Sequence, residues 1–192
     1  MSSVTRQRNP RGEGARLRDP LIEATVALID ELGDASKVSV RAITRRAGVS
    51  PTALYLHFPD RDAAVEAAVD AGFEAFNAAV LEAAATATEP RERLRAMGLA
   101  YLAFAERQPQ LYSVLFSARR TYEGSAEVNR SAGFDGLVAL VIAALGSEEA
   151  ANDIAVAVWA ALHGYATLCP GGSPGAFPPH EAFIDRLLDA YF

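Results

Sequence analysis

The chain contains few of the side chains that usually carry out catalysis or bind metals. Among its 192 residues are three histidines and one cysteine, too few to build a structural zinc cluster. A phosphate-binding P-loop and a Gly-x-Gly-x-x-Gly turn behind a strand are both missing from the sequence. We therefore expect a protein that is not an enzyme and that uses neither a metal nor a cofactor.

The most informative pattern lies in residues 36–62, where two short amphipathic helices flank a tight turn. The first helix has one apolar face, formed at spacings of three and four residues by Val40, Ile43 and Ala47. Two basic residues, Arg41 and Arg45, lie one turn apart and away from that face. This helix can therefore pack on one side while it presents positive charge on another.

The second helix follows a turn of four residues, Ala47-Gly48-Val49-Ser50. Its predicted buried side carries Leu54 and Phe58. Its predicted exposed side carries Thr52, Ala53 and Leu56. Two helices joined in this way form a helix-turn-helix motif, whose second helix fits the major groove of DNA.

Residues 17–77 resemble the N-terminal domain of the TetR-type transcriptional regulators. That family has a first helix ending in Gly, an Ile-x-x-x-Ala-Gly-Val-Ser core, a Leu-Tyr-x-His-Phe run and a Lys or Arg that opens the next helix. The matching residues are Gly33, Ile43, Ala47-Gly48-Val49-Ser50, Leu54-Tyr55-Leu56-His57-Phe58 and Arg61. Thr44 stands where the family often has Ala, and Ala64 stands where Leu is common.

The resemblance implies which side chains touch DNA. Tyr55 and His57 would donate hydrogen bonds to phosphate oxygens, and Arg61 would meet a phosphate near a helix N-terminus. Thr52 is the best candidate for a hydrogen bond to a base edge, while its apolar neighbours suit thymine methyl groups. The predicted DNA-binding residues are Ser39, Arg41, Arg45, Ser50, Thr52, Ala53, Tyr55, Leu56, His57 and Arg61. For Arg41 and Arg45, a solvated face without DNA contact is the alternative.

From residue 65 onward the chain carries 8 basic and 16 acidic residues, a net charge of −8. This part is too acidic to follow DNA, so it must serve another role. Its aromatic side chains fall on inward helix faces, and for most of them a simple core is the expected arrangement. The TetR resemblance implies a cavity for a hydrophobic or amphipathic ligand among these helices. The predicted lining residues are Tyr101, Phe104, Tyr112, Phe116, Phe134, Trp159 and His163.

The run from Trp159 to Gly164 is the second informative motif. Trp159 and His163 are four residues apart, so the indole and the imidazole would share one helix face and stack. The Trp-x-x-x-His-Gly pattern resembles the motif that names the WHG subtype of TetR C-terminal domains. His163 is either a lining residue of the cavity or a structural residue that forms hydrogen bonds in the core.

The end of the chain predicts an interface between two copies of the protein. Its terminal helix has a broad apolar face that another surface must cover. The TetR resemblance implies that the last two helices of each protomer form a four-helix bundle across a two-fold axis. A homodimer would also place paired recognition helices about 34–36 Å apart, in successive major grooves. The predicted dimer contacts are Phe183, Ile184, Leu187, Leu188 and Tyr191.

The abundance of alanine and the three- and four-residue apolar spacing predict an all-α fold of about nine helices. The expected helices lie at about 19–33, 39–47, 50–58, 61–86, 90–107, 109–117, 125–145, 147–168 and 179–192. Three segments follow from this pattern. They are a flexible basic arm at 1–16, a three-helix helix-turn-helix domain at 17–77, and a helical bundle for ligand binding and dimerisation at 78–192.

The total net charge of −6 is distributed unevenly along the chain. Residues 1–64 hold 10 basic and 8 acidic side chains, a net of +2, so the acidity belongs to the C-terminal part. Neither a signal peptide nor a membrane-spanning stretch is visible, which predicts a cytoplasmic protein without membrane contact.

These features favour a ligand-responsive transcriptional regulator. We expect a dimeric repressor that binds a palindromic double-stranded DNA operator and is released by a small hydrophobic effector. The alternative is an all-α bundle that binds proteins or small molecules and has no role in DNA regulation.

Overall fold

The computed structural model describes residues 17–117, 125–169 and 177–192, and gives the backbone alone for residues 125–131. The predicted basic arm at 1–16 lies outside the described residues. The described chain is helical, without a β-strand, which confirms the all-α prediction. Its helices are α1 (Arg18–Leu32), α2 (Val40–Arg46), α3 (Pro51–Tyr55), α4 (Arg61–Ala85), α5 (Pro90–Arg107), α6 (Pro109–Leu115), α7 (Ser125–Leu145), α8 (Ala151–Leu168) and α9 (His180–Asp189). A short 3-10 turn, Ala35–Lys37, follows α1.

Local sequence explains where several helices begin. Proline occupies the first position of α3, α5 and α6, where its fixed φ suits a helix and its missing N–H costs no hydrogen bond. The Ser39 hydroxyl caps α2 by accepting a hydrogen bond from the Ala42 N–H at 3.2 Å. The Asp60 carboxylate caps α4 in the same way, from the Ala63 N–H at 2.8 Å.

Helix α8 begins at Ala151, four residues later than its predicted start. The Ser147 hydroxyl accepts a hydrogen bond from the Glu149 N–H at 3.1 Å and closes a separate turn. Ala150 then takes a left-handed φ of 60°, a conformation that an α-helix cannot contain. Ser147, the first residue of the predicted helix, therefore belongs to the turn before it.

Helix α4 is the centre of the molecule, because α1, α5 and α7 all pack against it. Helices α1, α2 and α3 form a head at one end, and α5, α7 and α8 pack on one another in the body. A single apolar core continues from Leu21 and Ile43 in the head, through Phe73 of α4, to Leu111 and Leu162 in the body. Head and body are thus joined by packed side chains rather than by a linker.

Helix α9 lies on α5 and is held there by polar and apolar contacts. The Arg95 Nε lies 2.6 Å from the Asp185 Oδ1. Beneath this ion pair, Ile184 packs so closely on Gly98 that a Cβ there would meet the Ile184 Cδ1 at 2.8 Å. Ile184 and Leu188 are only 1% and 2% exposed. They were expected at the dimer interface, but they belong to the core of their own protomer, because α9 turns them toward α5.

None of the described helices combines the length and the apolar character that crossing a membrane would require.

Candidate nucleic-acid interface and ligand cavity

Helix α3 and the turn after it present the exposed surface that the sequence predicted. Leu54 is fully buried and anchors the helix, whereas Tyr55 is 56% and Leu56 is 79% exposed. Thr52 is exposed and Ala53 is half-buried on the same short helix. A hydroxyl, a methyl and a leucine side chain are therefore available together at the surface of the helix-turn-helix head.

Helix α2 lies beside α3 and supplies positive charge. Arg41 and Arg45 are exposed, and neither forms an ion pair with another residue in the described part of the chain. Arg46, by contrast, pairs with Glu31 of α1, which holds α2 against α1. The two unpaired guanidinium groups leave the face of α2 basic.

The predicted polar contacts differ in how free their side chains are. The Ser39 hydroxyl already caps α2, whereas Ser50 occupies the cap position of α3 without a side-chain hydrogen bond to it. His57 is half-buried at the end of the recognition segment.

The guanidinium group of Arg61, expected to meet a DNA phosphate, is bonded within the head. Its Nε donates to the Val38 carbonyl at 2.8 Å, and it also donates to the Ala35 carbonyl and pairs with Asp62. These bonds tie the start of α4 to the 3-10 turn. A phosphate contact through Arg61 would have to use the N–H groups that these bonds leave free. The main role of Arg61 in this geometry is to stabilise the head.

A cavity of about 540 Å³ lies in the body of the molecule. Helices α4, α5, α7, α8 and α9 all contribute to its wall. Its lining residues, including one from α6, are Phe73, Phe76, Asn77, Val80, Leu94, Met97, Gly98, Tyr101, Leu115, Phe116, Ser117, Gly133, Phe134, Leu137, Val156, Val158, Trp159, Leu162, His163, Ile184, Leu187 and Leu188. None of these lining residues is an acid, a lysine or an arginine, so the cavity suits an uncharged, mainly apolar molecule.

Most of the predicted lining residues reach this cavity: Tyr101, Phe116, Phe134, Trp159 and His163. The Phe104 ring instead packs edge-on against Phe76, with 5.3 Å between ring centroids. Tyr112 lies against a second cavity of about 390 Å³ and reaches the first through its hydrogen bonds. Periodicity identified both rings as inward-facing, but it could not say that Phe104 packs on another ring and that Tyr112 borders the second cavity.

Several lining residues carry no motif in the sequence. Asn77 lies on α4, and its Oδ1 sits where a Cβ on Gly133 of α7 would be. Gly133 therefore allows α7 to approach the polar group of α4 closely. A glycine and an asparagine 56 positions apart give no local signal, so only the packed fold reveals the pair.

A chain of hydrogen bonds crosses the cavity wall. The Tyr101 and Tyr112 hydroxyl oxygens lie 2.8 Å apart, and the Tyr112 hydroxyl lies 2.7 Å from the His163 Nδ1. The indole of Trp159 stacks on the imidazole of His163, with centroids 5.9 Å apart and planes inclined by 25°. His163 therefore lines the cavity and also forms a hydrogen bond in the core. The two roles that the sequence offered as alternatives are compatible in the structure.

Burial changes the acidity of these three side chains. It raises the pKa of Tyr112 to about 12 and raises the pKa of Tyr101 still further, where the neighbouring Tyr112 adds to the effect. Burial lowers the pKa of His163, since desolvation disfavours its charged form. At neutral pH all three groups are uncharged.

The head and the body meet where α1 ends and α6 begins. The Asp30 carboxylate of α1 accepts a hydrogen bond from the Leu111 N–H in the first turn of α6, at 3.0 Å. Gly33 follows with a left-handed φ of 61°, and a Cβ there would collide with the Gln110 side chain. Leu115, at the other end of α6, lines the cavity. One short helix thus contacts both the DNA-binding head and the cavity.

No group of three His, Cys, Asp or Glu side chains that could hold a metal ion occurs among the residues with described side chains.

The described chain has a helix-turn-helix head packed on an all-helical body that contains an apolar cavity. This arrangement is typical of helical regulators that combine a DNA-binding domain and a ligand-binding domain in one chain. Residues 21–68 match the model of the family described as "Bacterial regulatory proteins, tetR family". Residues 94–191, just over half of the chain, match the model of the family described as "Tetracyclin repressor-like, C-terminal domain". The chain belongs to the TetR family of bacterial regulatory proteins.

Solved structures that are similar to this chain share its fold. A solved structure of a protein with unknown function from Rhodococcus sp. RHA1 has a TM-score of 0.80 and 27% identity, and the match covers 96% of this chain and 97% of that chain. A TetR family transcription regulator from Marinobacter aquaeolei VT8 shares the fold, with a TM-score of 0.69 and 19% identity over 94% of this chain and 98% of that one.

A curated relative is the nucleoid occlusion factor SlmA from Vibrio campbellii. It is 28% identical over 98 residues, which are 51% of this chain and 50% of that protein. The chain spans about half the length of the curated relatives it matches. These relatives and similar structures include regulators, and none of those named here is described as an enzyme.

Proposed function

We propose that this protein is a dimeric, ligand-responsive transcriptional repressor, which binds a palindromic operator and is released by a small hydrophobic effector. The observation that carries the proposal is the position of α6. Its Leu115 lines the apolar cavity, and the N–H of its Leu111 is bonded to Asp30 of the head. A molecule that moves α6 would therefore also move the helix that supports the DNA-binding surface.

The DNA-binding part of the proposal rests on α2 and α3. Arg41 and Arg45 supply positive charge for the phosphate backbone, and the exposed Tyr55 hydroxyl supplies a neutral donor. Thr52 is exposed at the start of α3, where a recognition helix meets base edges, and the exposed Leu56 suits a thymine methyl group. Direct readout by so few polar groups leaves part of the specificity to DNA shape. Within the proposal, residues 17–77 form the DNA-binding domain and residues 78–192 form the domain for ligand and dimer.

The ligand-binding part rests on the size and chemistry of the cavity. A volume of about 540 Å³ lies within the range of small-molecule sites, and its wall is mainly apolar with a few polar groups. Tyr101, Phe116, Phe134, Trp159 and His163 are its predicted contacts. The Trp-x-x-x-His-Gly run of α8 supports assigning the C-terminal domain to the WHG subtype.

The dimer interface is proposed on the outer faces of α8 and α9. Phe183 and Leu187 on α9, and Tyr191 just after it, remain at least partly exposed. On α8, Val156 and Ala160 are exposed one turn apart, and Val156 is 43% exposed. Exposed apolar side chains on two neighbouring helices are typical of a face that a second copy covers.

Gel shifts with fragments of genomic DNA test the proposal. We expect the purified protein to retain a subset of duplex fragments and to lose them steeply as salt rises, since each phosphate contact releases counterions. The retained fragments should share a site that is protected symmetrically about its centre. If no duplex is retained even at low salt, the alternative of a helical bundle without a DNA-regulatory role is correct.

A further inference from the structure

Three polar side chains at the cavity wall and just behind it form one connected chain of hydrogen bonds. Tyr101 and Tyr112 are each 5% exposed, and their hydroxyls lead to the His163 Nδ1 in two steps of 2.8 Å and 2.7 Å. The imidazole is enclosed by rings, with the centroids of Phe116 and Trp159 at 5.4 Å and 5.9 Å. The cavity wall therefore offers a ligand a polar position at His163, apart from the polar side chains of Asn77 and Ser117.

The number of hydrogen atoms in this chain fixes its direction. Two hydroxyl hydrogens need acceptors, and the described partners offer only the Tyr112 oxygen, the Tyr101 oxygen and the His163 Nδ1. Both hydrogens are accepted only if Tyr101 donates to Tyr112 and Tyr112 donates to the Nδ1. Among the described residues, any other arrangement leaves a buried hydroxyl hydrogen without an acceptor, which is costly.

This direction determines the tautomer of His163. A neutral imidazole carries one hydrogen, and the Nδ1 acts here as an acceptor, so the hydrogen is on the Nε2. Among the described residues no acceptor is bonded to that Nε2–H. His163 lines both the large cavity and its smaller neighbour. The hydrogen-bond donor, the Nε2–H, thus belongs to a residue that borders the cavity.

The charge of the wall limits which acceptor can bind there. Among the described residues that line the large cavity there is no lysine or arginine, and burial lowers the pKa of His163. A carboxylate would lose its hydration without gaining a cationic partner. An uncharged oxygen loses much less and still accepts the hydrogen bond.

We propose that the effector is an uncharged, mainly apolar molecule with a carbonyl or ether oxygen, which accepts a hydrogen bond from the Nε2–H of His163. Tyr112 is a positioning residue, since it holds the tautomer through the Nδ1. This inference rests on the proposed ligand-binding function of the cavity and specifies the class of ligand.

Calorimetric titration with three probes tests the class of ligand. Benzophenone and diphenylmethane differ only in a carbonyl in place of a methylene, and diphenylacetate adds an anion. The fluorescence of Trp159, the single tryptophan of the chain, reports whether a probe occupies the cavity. The matched variant is Tyr112→Phe/His163→Phe, which removes the imidazole donor together with the hydroxyl that is bonded to its ring.

We expect the affinity ratio of benzophenone to diphenylmethane to be about 3- to 10-fold larger in the wild type than in the double variant. An unchanged ratio, with both probes still bound, overturns the assignment of His163 but leaves the ligand-binding function intact. Failure of both probes to bind overturns the cavity as a ligand site. Tighter binding of diphenylacetate than of benzophenone overturns the uncharged class.

The ¹⁵N chemical shifts of His163 test the tautomer without any ligand. At a pH where the imidazole is neutral, we expect the Nε2 to carry the hydrogen in the wild type. In Tyr112→Phe we expect the shifts to move toward a mixture of tautomers, because the donor to the Nδ1 is gone. A wild-type signal with the hydrogen on the Nδ1 contradicts the proposed direction of the chain.

Discussion

Tyr55 and Thr52 lie on the same exposed segment, but their side chains would act differently on DNA. A phenolic hydroxyl on a phosphate positions the protein without distinguishing sequences. We expect Tyr55→Phe to weaken binding to all duplexes by about 2- to 12-fold, the worth of one hydrogen bond. Gel shifts on two unrelated fragments measure this effect. A loss confined to one of the fragments would show that Tyr55 reads sequence.

Thr52→Ala should change sequence preference, whereas Tyr55→Phe should weaken binding to all duplexes alike. Removing a hydroxyl from a base edge should change which base pair is preferred at one position in each half-site, with a smaller effect on other duplexes. Selection of bound duplexes from a library, with the wild type and Thr52→Ala in parallel, measures this preference. Identical preferred sequences for the two proteins would remove Thr52 from the readout.

His163 makes stability depend on pH. Burial lowers its pKa below the ordinary value of 6.5, so the unfolded chain takes up a proton there before the folded protein does. Its contribution to stability is complete above about pH 6.5 and declines as the pH falls toward the folded pKa. We expect the Tm of the wild type to fall more than that of His163→Phe between about pH 7 and pH 5. The other two histidines are present in both proteins, so parallel curves would exclude this role.

At the scale of single side chains, the sequence indicated which residues share a helix face better than it indicated which residues they bond to. The Trp159 and His163 pair was predicted because both residues lie one helical turn apart on one element. Arg61 was expected on a phosphate, but its donors go to carbonyls of residues 35 and 38. Those carbonyls lie in, and directly after, a 3-10 turn that no periodic pattern marks. A hydrogen-bond partner distant in the sequence depends on packing, which local spacing does not encode.

The junction of α1 and α6 can be tested with two glycines that have the same backbone conformation. Gly33 and Gly48 have φ values of 61° and 71°, so alanine costs roughly 1–2 kcal/mol at either position. Only at Gly33 does the added Cβ meet a neighbour, the Gln110 side chain. We expect Gly33→Ala to lower the free energy of unfolding about as much as Gly48→Ala, as measured by urea denaturation, because the exposed Gln110 side chain can turn aside. A clearly larger loss at Gly33 would show that Gln110 is held in place at the junction.

Helix boundaries were predicted well wherever a residue fixes the backbone by itself. Proline at the start of α3, α5 and α6 and glycine after α1 act through their own φ, so their effect is visible in the sequence. The apolar stripe of α9 was different. It indicates that the helix is covered, but α5 covers Ile184 and Leu188 from inside the protomer. Which surface covers a stripe is a property of the tertiary fold.

The whole molecule is expected to act as a symmetric pair. Ala160 is exposed on α8 within the proposed interface, and Ala75 is an exposed alanine on α4 outside it. We expect Ala160→Arg to sediment as a monomer, because two arginines would meet across the two-fold axis, whereas Ala75→Arg remains a dimer. These alanines isolate dimerisation better than Leu187, which also lines the cavity. A normal dimer of Ala160→Arg would place the interface elsewhere.

The distribution of charge along the chain is consistent with a head that binds DNA and a body that does not. The segment up to residue 64 has a net charge of +2, and the remainder has −8. An acidic body is repelled by phosphates, so the molecule can approach DNA favourably only through its head. The total charge of −6 alone would have pointed away from DNA.

Selection of duplexes from a random library by the full-length wild-type protein tests the central claim most directly. The account predicts enrichment of one motif with two-fold symmetry, whose half-sites are centred about one helical turn apart or a multiple of that distance. Absence of any enriched motif, or enrichment of a single motif without symmetry, would contradict a dimeric, sequence-specific regulator.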